Sequence, residues 1–286
     1  MQTMPDDPAL VRPLHPPDEV ALAHALQADH GYGLFISSNL ASYGLANRDV
    51  RFWGQFRSND PVGFQQQPQV EAVLMVAGRN ANLFVAATSD PVPLAAIALR
   101  ERLHFIMGEG QTMERVAQFA PQRFTRMETH HFADLPSQRF HAPLTALPAG
   151  MLVRRGEPAD VDALARLYFG VTGFEGMSYH QVRVSMMNRV THLRTYLATL
   201  DGEVVAAAST SAETPEAAMI GGVWTAPQAR GRGLSTAVVA ALCTALRRER
   251  RQPYLFYLTE NAPAARVYAK LGFRIIGGWR VLYCDV

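Results

Sequence analysis

One stretch constrains this chain more than any other: Val223-Trp224-Thr225-Ala226-Pro227-Gln228-Ala229-Arg230-Gly231-Arg232-Gly233-Leu234-Ser235-Thr236. A strand-forming segment runs into a Pro-marked turn, then an Arg/Gly-rich loop, then an amphipathic helix whose apolar face carries Leu234, Val238, Ala241, Leu242, Ala245 and Leu246. Glycines at 231 and 233 let backbone amides approach a ligand closely. The helix start behind them offers unpaired N–H groups and the positive end of a dipole. Together they make a cradle for a pyrophosphate, with Arg230 and Arg232 adding charge. Taken alone, the loop also reads as a solvated turn broken by glycine. No Gly-Lys-Ser/Thr follows, so the Walker loop is excluded, and the third glycine and distal acid of the dinucleotide fingerprint are missing.

About thirty residues further on comes Asn261-Ala262-Pro263-Ala264-Ala265-Arg266-Val267-Tyr268-Ala269-Lys270-Leu271-Gly272-Phe273. Tyr268 stands two helical turns after Asn261, so both belong to one helix face. The succession of strand, R-G-R-G loop, helix, strand and N-x-x-A-x-x-x-Y-x-K-x-G-F resembles the GNAT-type N-acyltransferases, which use acetyl-coenzyme A, over about residues 150–286. The resemblance implies an α/β mixed sheet in which the strand ending at Thr225 splays from the strand Tyr254 to Thr259 and opens a V. Pantetheine would pair there with the backbone of Val223 and Thr225, and the pyrophosphate would sit on amides of Gly231, Arg232, Gly233, Leu234, Ser235 and Thr236. Asn261 would cap its helix or contact the cofactor. Tyr268 would be the general acid that protonates the departing thiolate; the plain alternative is a buried helix Tyr on Phe273. A backbone N–H at a strand bulge near Trp224 would polarise the thioester carbonyl.

Two departures stand out. Ser235 replaces the usual Gly or Ala of the loop, small enough to keep the approach and able to donate to phosphate. The strand Ala217-Ala218-Met219-Ile220-Gly221-Gly222 carries no acid where many of these enzymes place their general base. Glu216 and Glu213 just upstream, Glu175 and His180 on the expected acceptor side, or a water wire are the candidates. Cys243, inside the long helix, reads as packing rather than as a nucleophile. The resemblance implies transfer of an acetyl group from acetyl-CoA to a primary amine, small molecule or peptide, by direct attack in a ternary complex. A non-catalytic acyl-CoA-binding module is the alternative.

Composition fits this reading. Of 286 residues 48% are hydrophobic and 18% charged, enough for a substantial core and against wholesale disorder. Residues 1–150 carry 11 Arg against 14 acids and residues 151–286 carry 16 cations against 11, so the basic half is the one with the phosphate loop. The acidic first half would suit a cationic acceptor. With two cysteines, no zinc spacing, no long apolar run and no signal-peptide pattern, a cytoplasmic protein is expected, monomer or homodimer, without metal, nucleic-acid or membrane partners. The Arg247, Arg248, Arg250 and Arg251 cluster reads as a cationic helix end.

The expected layout is a mobile Pro-rich arm at 1–18, an α/β domain at 19–135, a Pro-punctuated linker at 136–150 and the catalytic domain at 151–286. In the first half, strands are expected at Arg51 to Phe56 (closed by Asn59-Asp60-Pro61), Val70 to Ala77, Ala81 to Thr88 and Phe124 to Phe132. Helices are expected at Glu19 to Ala28, Leu94 to Phe105 and Gln111 to Ala120. The first domain shows no phosphate loop and is expected to be a degenerate GNAT-like copy, giving two tandem copies as in two-domain GNAT proteins of bacteria.

Overall fold

The computed structural model of the chain describes residues 10–27, 29–56, 69–86, 89–141, 149–171 and 173–285. Two compact units emerge, one of residues 1–131 with 277–286, the other of residues 132–276. The first contains β1 (Leu10–Pro13), α1 (Glu19–Gln27), α2 (Leu34–Tyr43), β2 (Val50–Phe56), β3 (Val70–Ala77), β4 (Asn80–Val85), α3 (Val92–Ala98), β5 (Phe105–Glu109) and α4 (Gly110–Phe119). After β6 (Phe124–Asp134) the second contains β7 (Met151–Arg155), α5 (Val161–Tyr168), α6 (Tyr179–His192), β8 (Thr195–Leu200), β9 (Glu203–Glu213), β10 (Ala217–Thr225), α7 (Leu234–Arg248), β11 (Gln252–Leu258) and α8 (Ala262–Leu271), before β12 (Arg274–Cys284). The order of strands and helices is the same in both units. The chain leaves the first unit inside β6 and returns to it inside β12.

In the first unit the strand order is β1-β2-β3-β4-β5-β12. β12 pairs antiparallel with β5 from Trp279↔Glu109 to Tyr283↔Phe105. Its Leu282 is fully buried beside Leu74, Leu94 and Ile106, and Trp279 stacks on Tyr32 at 5.9 Å between ring centres. In the second unit the order is β11-β10-β9-β8-β7. There α7 covers the sheet with Leu234, Val238, Leu242 and Leu246, and α5 and α6 build a second core with Leu164, Tyr168, Val182 and Met186.

Both units begin with the same local device. Arg12 holds Asp18 through two hydrogen bonds of 2.7 Å each, and Asp18 also accepts the His15 backbone N–H at 2.9 Å. Six residues likewise separate Arg154 from Asp160, joined at 2.6 and 2.7 Å, while Asp160 accepts the Glu157 N–H at 2.8 Å. A proline starts the short 3-10 turn in each case, where its missing N–H costs nothing.

Several expectations are corrected. Residues 10–18 are not an arm, because β1 pairs with β2 and Leu14 is buried; residues 1–9 lie outside the described residues. The expected helix Leu94 to Phe105 ends at Ala98, and Phe105 opens β5, a strand held between β4 and β12 by long-range pairing. α2 was not expected. The division falls between 131 and 132 rather than in a linker at 136–150, since Phe132 already stacks on Tyr254 at 5.7 Å. Within that stretch residues 142–148, and the expected turn at 59–61, lie outside the described residues, as do the ends of the expected segments at Ala28 and Thr88.

Asp160 is nearly buried, and its hydrogen bonds from Arg154 hold its carboxyl below the usual carboxylate range. A depressed native value contributes stability above the unfolded value near 4 that is lost as pH falls through the native one. Asp160→Asn is therefore expected to cost roughly 1–3 kcal/mol at pH 7, and its gap from the parent protein should narrow steadily below about pH 4 in denaturant titrations. A pH-independent gap would contradict the ion pair's role.

Candidate functional site

The second unit opens at the carboxyl end of the parallel pair β10–β11. β10 and β11 pair from Ala217↔Gln252 to Ile220↔Leu255 and then part, although both strands continue, to Thr225 and Leu258. β10 keeps its antiparallel pairing with β9 on the other side, but with a shift between Gly221 and Trp224. Gly221 faces Ser209 and Trp224 faces Ala207, so β10 carries one extra residue there, a β-bulge. Gly222 takes φ +58°, in the left-handed region where a side chain is strained. A bulge releases backbone groups from the ladder just where the neighbouring strand has left.

Past the end of β10 the chain makes a 3-10 turn at Pro227–Ala229 and enters the glycine loop. Gly231 and Gly233 both have φ +78°, and among the described residues nothing beyond their chain neighbours lies within 4 Å of where either Cβ would stand. Backbone conformation, not crowding, demands glycine here, and the space outside is open. The first helical bond of α7 runs from the Ala237 N–H to the Gly233 carbonyl, so the amides of Leu234, Ser235 and Thr236 precede it, and no side chain caps them. Leu234 is buried and fixes the turn. This donor set fits a pyrophosphate.

Charge around the loop is arranged differently from the expectation. The Arg230 guanidinium lies over the Trp224 ring at 4.9 Å, and its Nε donates to the Thr225 carbonyl at 3.3 Å, so this arginine braces the strand end. Arg232 is exposed without an ion pair among the described residues and is the freer cation. The Ser235 hydroxyl and that of Thr225 are 2.7 Å apart, tying the helix start to the strand end. Val223 and Thr225 occupy the part of β10 beyond its pairing with β11.

Asn261 is the cap of α8, its side-chain oxygen accepting the Ala264 N–H at 3.1 Å. Two turns on, Tyr268 is buried against Tyr257 at 5.1 Å and edge-on to Phe273 at 5.7 Å. Burial, then the neighbouring Tyr257 and Cys243, push its phenol well above its ordinary value, so it stays protonated. Burial likewise pushes the Cys243 thiol up, away from nucleophilic use.

The acids are spread apart. Glu216 is exposed just before β10, six residues from Gly222, or about 20 Å at strand rise. Glu213 is taken up by Arg194 and Arg251. Glu175 is exposed next to Phe174, and its carboxylate accepts the Gly173 N–H at 2.8 Å. His180 is exposed in the first turn of α6. Only Glu175 adjoins a residue of the second core beside the bulge.

Two residues near the bulge escaped sequence reasoning. Tyr168, on α5, is fully buried and donates its hydroxyl proton to the Gly222 carbonyl. Burial outweighs the nearby Arg189 charge and lifts that phenol to about 12. Arg189, on α6, reaches the same bulge: a Cβ on Gly222 would stand 2.5 Å from its Nη1 and 3.6 Å from Tyr168 Oη. Helical spacing marks Tyr168 only as apolar-face material, but the Gly221-Gly222 pair inside a strand was a readable sign of a bulge.

Gly222→Ala would impose a strained φ and drive Cβ into the guanidinium. It is expected to cost roughly 1–3 kcal/mol, read as a drop of several degrees in the thermal midpoint; an unchanged midpoint would mean the bulge relaxes freely.

Among the described residues no helix is long and apolar enough to cross a membrane, and no three His, Cys, Asp or Glu gather as a metal site. Residues 161–273 match the family model for "Acetyltransferase (GNAT) family". No curated protein is significantly similar in sequence. Solved structures are. A Drosophila protein shares 14% identity with a TM-score of 0.67 over 96% of this chain and 98% of its own. A GCN5-related N-acetyltransferase from Sphaerobacter thermophilus shares 16% at 0.65, covering 98% and 96%. A tandem GNAT protein from the clavulanic acid biosynthesis pathway shares 18% at 0.61, covering 96% and 97%. At these identities the likeness speaks for the fold, and the family match speaks for the second unit. Residues 161–273 are thus a domain of the GNAT acetyltransferase family, an acyltransferase family, within a chain that has the tandem fold of two GNAT-like units.

Proposed function

We propose that the second unit transfers the acetyl group of acetyl-CoA to a primary amine, by direct attack with both substrates bound. The observation that carries this reading is the parting of β10 from β11 over a bulge, with the uncapped amides of α7 at the same end. Acetyl-CoA supplies an activated acetyl thioester. The amine nitrogen attacks its carbonyl carbon and the C–S bond breaks as the C–N bond forms. The amine loses one proton and the thiolate gains one, so amine and thioester become amide and thiol.

The chain's own groups divide the work. Amides of Gly231, Arg232, Gly233, Leu234, Ser235 and Thr236 hold the pyrophosphate, with Arg232 as the nearby cation. Backbone groups of Val223 and Thr225 hold the pantetheine arm as an added strand. A backbone N–H at the bulge near Trp224 polarises the carbonyl. Tyr268 delivers the proton to sulfur; its high pKa keeps that proton available at neutral pH and makes the phenol a match for a thiolate leaving group only within a dry site. Glu175 is the better placed of the two acids for taking the amine proton, because it adjoins Phe174 whereas Glu216 stands at the other end of β10. Arg230 and Asn261 support the site by bracing the strand end and capping α8.

Titration calorimetry with acetyl-CoA and a free-thiol assay over an amine panel test the reading. Gly233→Glu places strain and negative charge in the cradle and is expected to weaken acetyl-CoA binding at least about 10-fold; unchanged affinity would refute the cradle. Tyr268→Phe and Glu175→Gln are expected to lower kcat by about 10²-fold with acetyl-CoA affinity retained. A protein that binds acetyl-CoA yet releases no thiol with any amine would instead be an acyl-CoA-binding module.

A further inference from the structure

Arg189 poses a problem that the acetyl-transfer reading alone does not use. It projects from α6 to the bulge of β10, and its Nη1 is shut off from solvent without any hydrogen-bond acceptor. Its side chain makes no hydrogen bond or ion pair among the described residues. Its one favourable neighbour is the ring of Phe174, 5.6 Å from its Cζ, a contact that offsets only part of the cost of drying a cation. Other half-buried arginines of this unit are treated differently: Arg194 and Arg251 share Glu213 and Glu249, and Arg154 grips Asp160. The Tyr168 hydroxyl beside Arg189 spends its proton on the Gly222 carbonyl, which leaves the guanidinium as the free donor. Glycine at 222 is what allows the approach, since a Cβ there would collide with Nη1 at 2.5 Å. A half-buried cation whose Nη1 is buried and unpartnered, at the point where β10 bulges and β11 has departed, is a site suited to an anion.

We infer that Arg189, with Phe174 and Tyr168 as its walls, binds a carboxylate on the acceptor, so that the amine acetylated is one carrying its own carboxylate group. This rests on the acetyl-transfer reading and adds the substrate class. The planar guanidinium fork matches a carboxylate in two-point contact, which orients as well as attracts. The acidic balance of the first half, which by itself would suit a cationic acceptor, is outweighed by this single cation because it stands at the bulge itself.

The test compares amino carboxylates with their carboxamides at equal concentrations of neutral amine, with phosphate-bearing amines as a third arm, in the parent protein and in Arg189→Gln. The parent is expected to favour carboxylates over carboxamides by about 10–100-fold in kcat/KM, and Arg189→Gln to bring that ratio near one. A preference for phosphate-bearing amines over carboxylates, or equal use of carboxylates and carboxamides by the parent, overturns the inference while leaving acetyl transfer intact. A loss in Arg189→Gln that is uniform across all acceptors also overturns it, because the arginine would then act on the acyl donor. Failure of the parent to bind acetyl-CoA in calorimetry removes the acetyl-transfer reading and this inference with it. A second readout needs no turnover. Arg189→Met keeps the apolar stem and deletes the unpaired charge, so its thermal midpoint without ligand is expected to equal or exceed the parent's; a clear drop would mark the arginine as structural and overturn the inference.

Discussion

Everything proposed for the second unit depends on where the parallel pairing of β10 and β11 stops. A parallel ladder is held by evenly spaced backbone bonds, and ending it early while both strands continue leaves donors and acceptors that need other partners. Here it ends after Ile220↔Leu255. β10 can follow its own course beyond that point because β9 still holds its other edge, and the bulge at Gly222 absorbs the change of twist. Both flanking helices, α7 and α8, start from the carboxyl ends of the parting strands, so their positive dipole ends gather at the same mouth, and α7 adds uncapped amides there. A closed ladder would have satisfied its backbone internally and left nothing to offer a ligand.

The second unit was legible wherever its chemistry is local. The glycine loop declares itself because φ +78° at two nearby positions admits little else, and the Asn261 cap and Gly272 stop bracket α8 within a dozen residues. The hairpin of β3 and β4 was legible for the same reason, with Gly78 turning between apolar runs. What could not be read was non-local. β5 is five residues long, and its strand character comes from β4 and β12, the latter about 170 residues away in sequence. α2 carries Ser37, Ser38, Asn39 and Ser42, poor helix formers that compete for backbone bonds; it is held by burying Leu34, Ile36 and Leu40. Arg189 gave no signal at all, because an arginine on an amphipathic helix is solvent-facing by default and only the fold reveals what it faces.

The first unit obeys the same plan with its chemistry removed. Its β4 and β5 also form a short parallel pair, from Asn80↔Phe105 to Leu83↔Gly108. The helix that follows β4 has seven residues, begins behind Pro91, and is preceded by Ser89-Asp90 rather than glycines. A proline has no amide to give, and an aspartate at that helix start already occupies the positive end that a phosphate would seek. The paired Arg12–Asp18 and Arg154–Asp160 turns survive in both units because they serve folding, not ligand binding, and so are indifferent to the loss of a cradle. Closure of the first unit's sheet waits for β12, at the end of the chain. Its Trp279 and Leu282 fill a core whose other members were made more than 150 residues earlier. Such late closure raises contact order and slows folding, and it leaves this unit incomplete until the second has been synthesised.

The two buried tyrosines of the second unit differ in what their hydroxyls meet. Tyr168 and Tyr268 are both deeply buried, and burial raises both phenols, so neither ionises near neutral pH. Tyr168 has committed its proton to the Gly222 carbonyl, fixing the bulge. Tyr268 packs between two aromatic rings, and no described group accepts from its hydroxyl. A phenol whose proton is already given to a carbonyl is a structural strut. In the proposed reaction, one that is held rigidly by rings, protonated and uncommitted, would give its proton to a thiolate formed in the same dry space, where leaving that charge unprotonated would be costly. The difference between strut and acid lies in the partner of the hydroxyl, not in the residue.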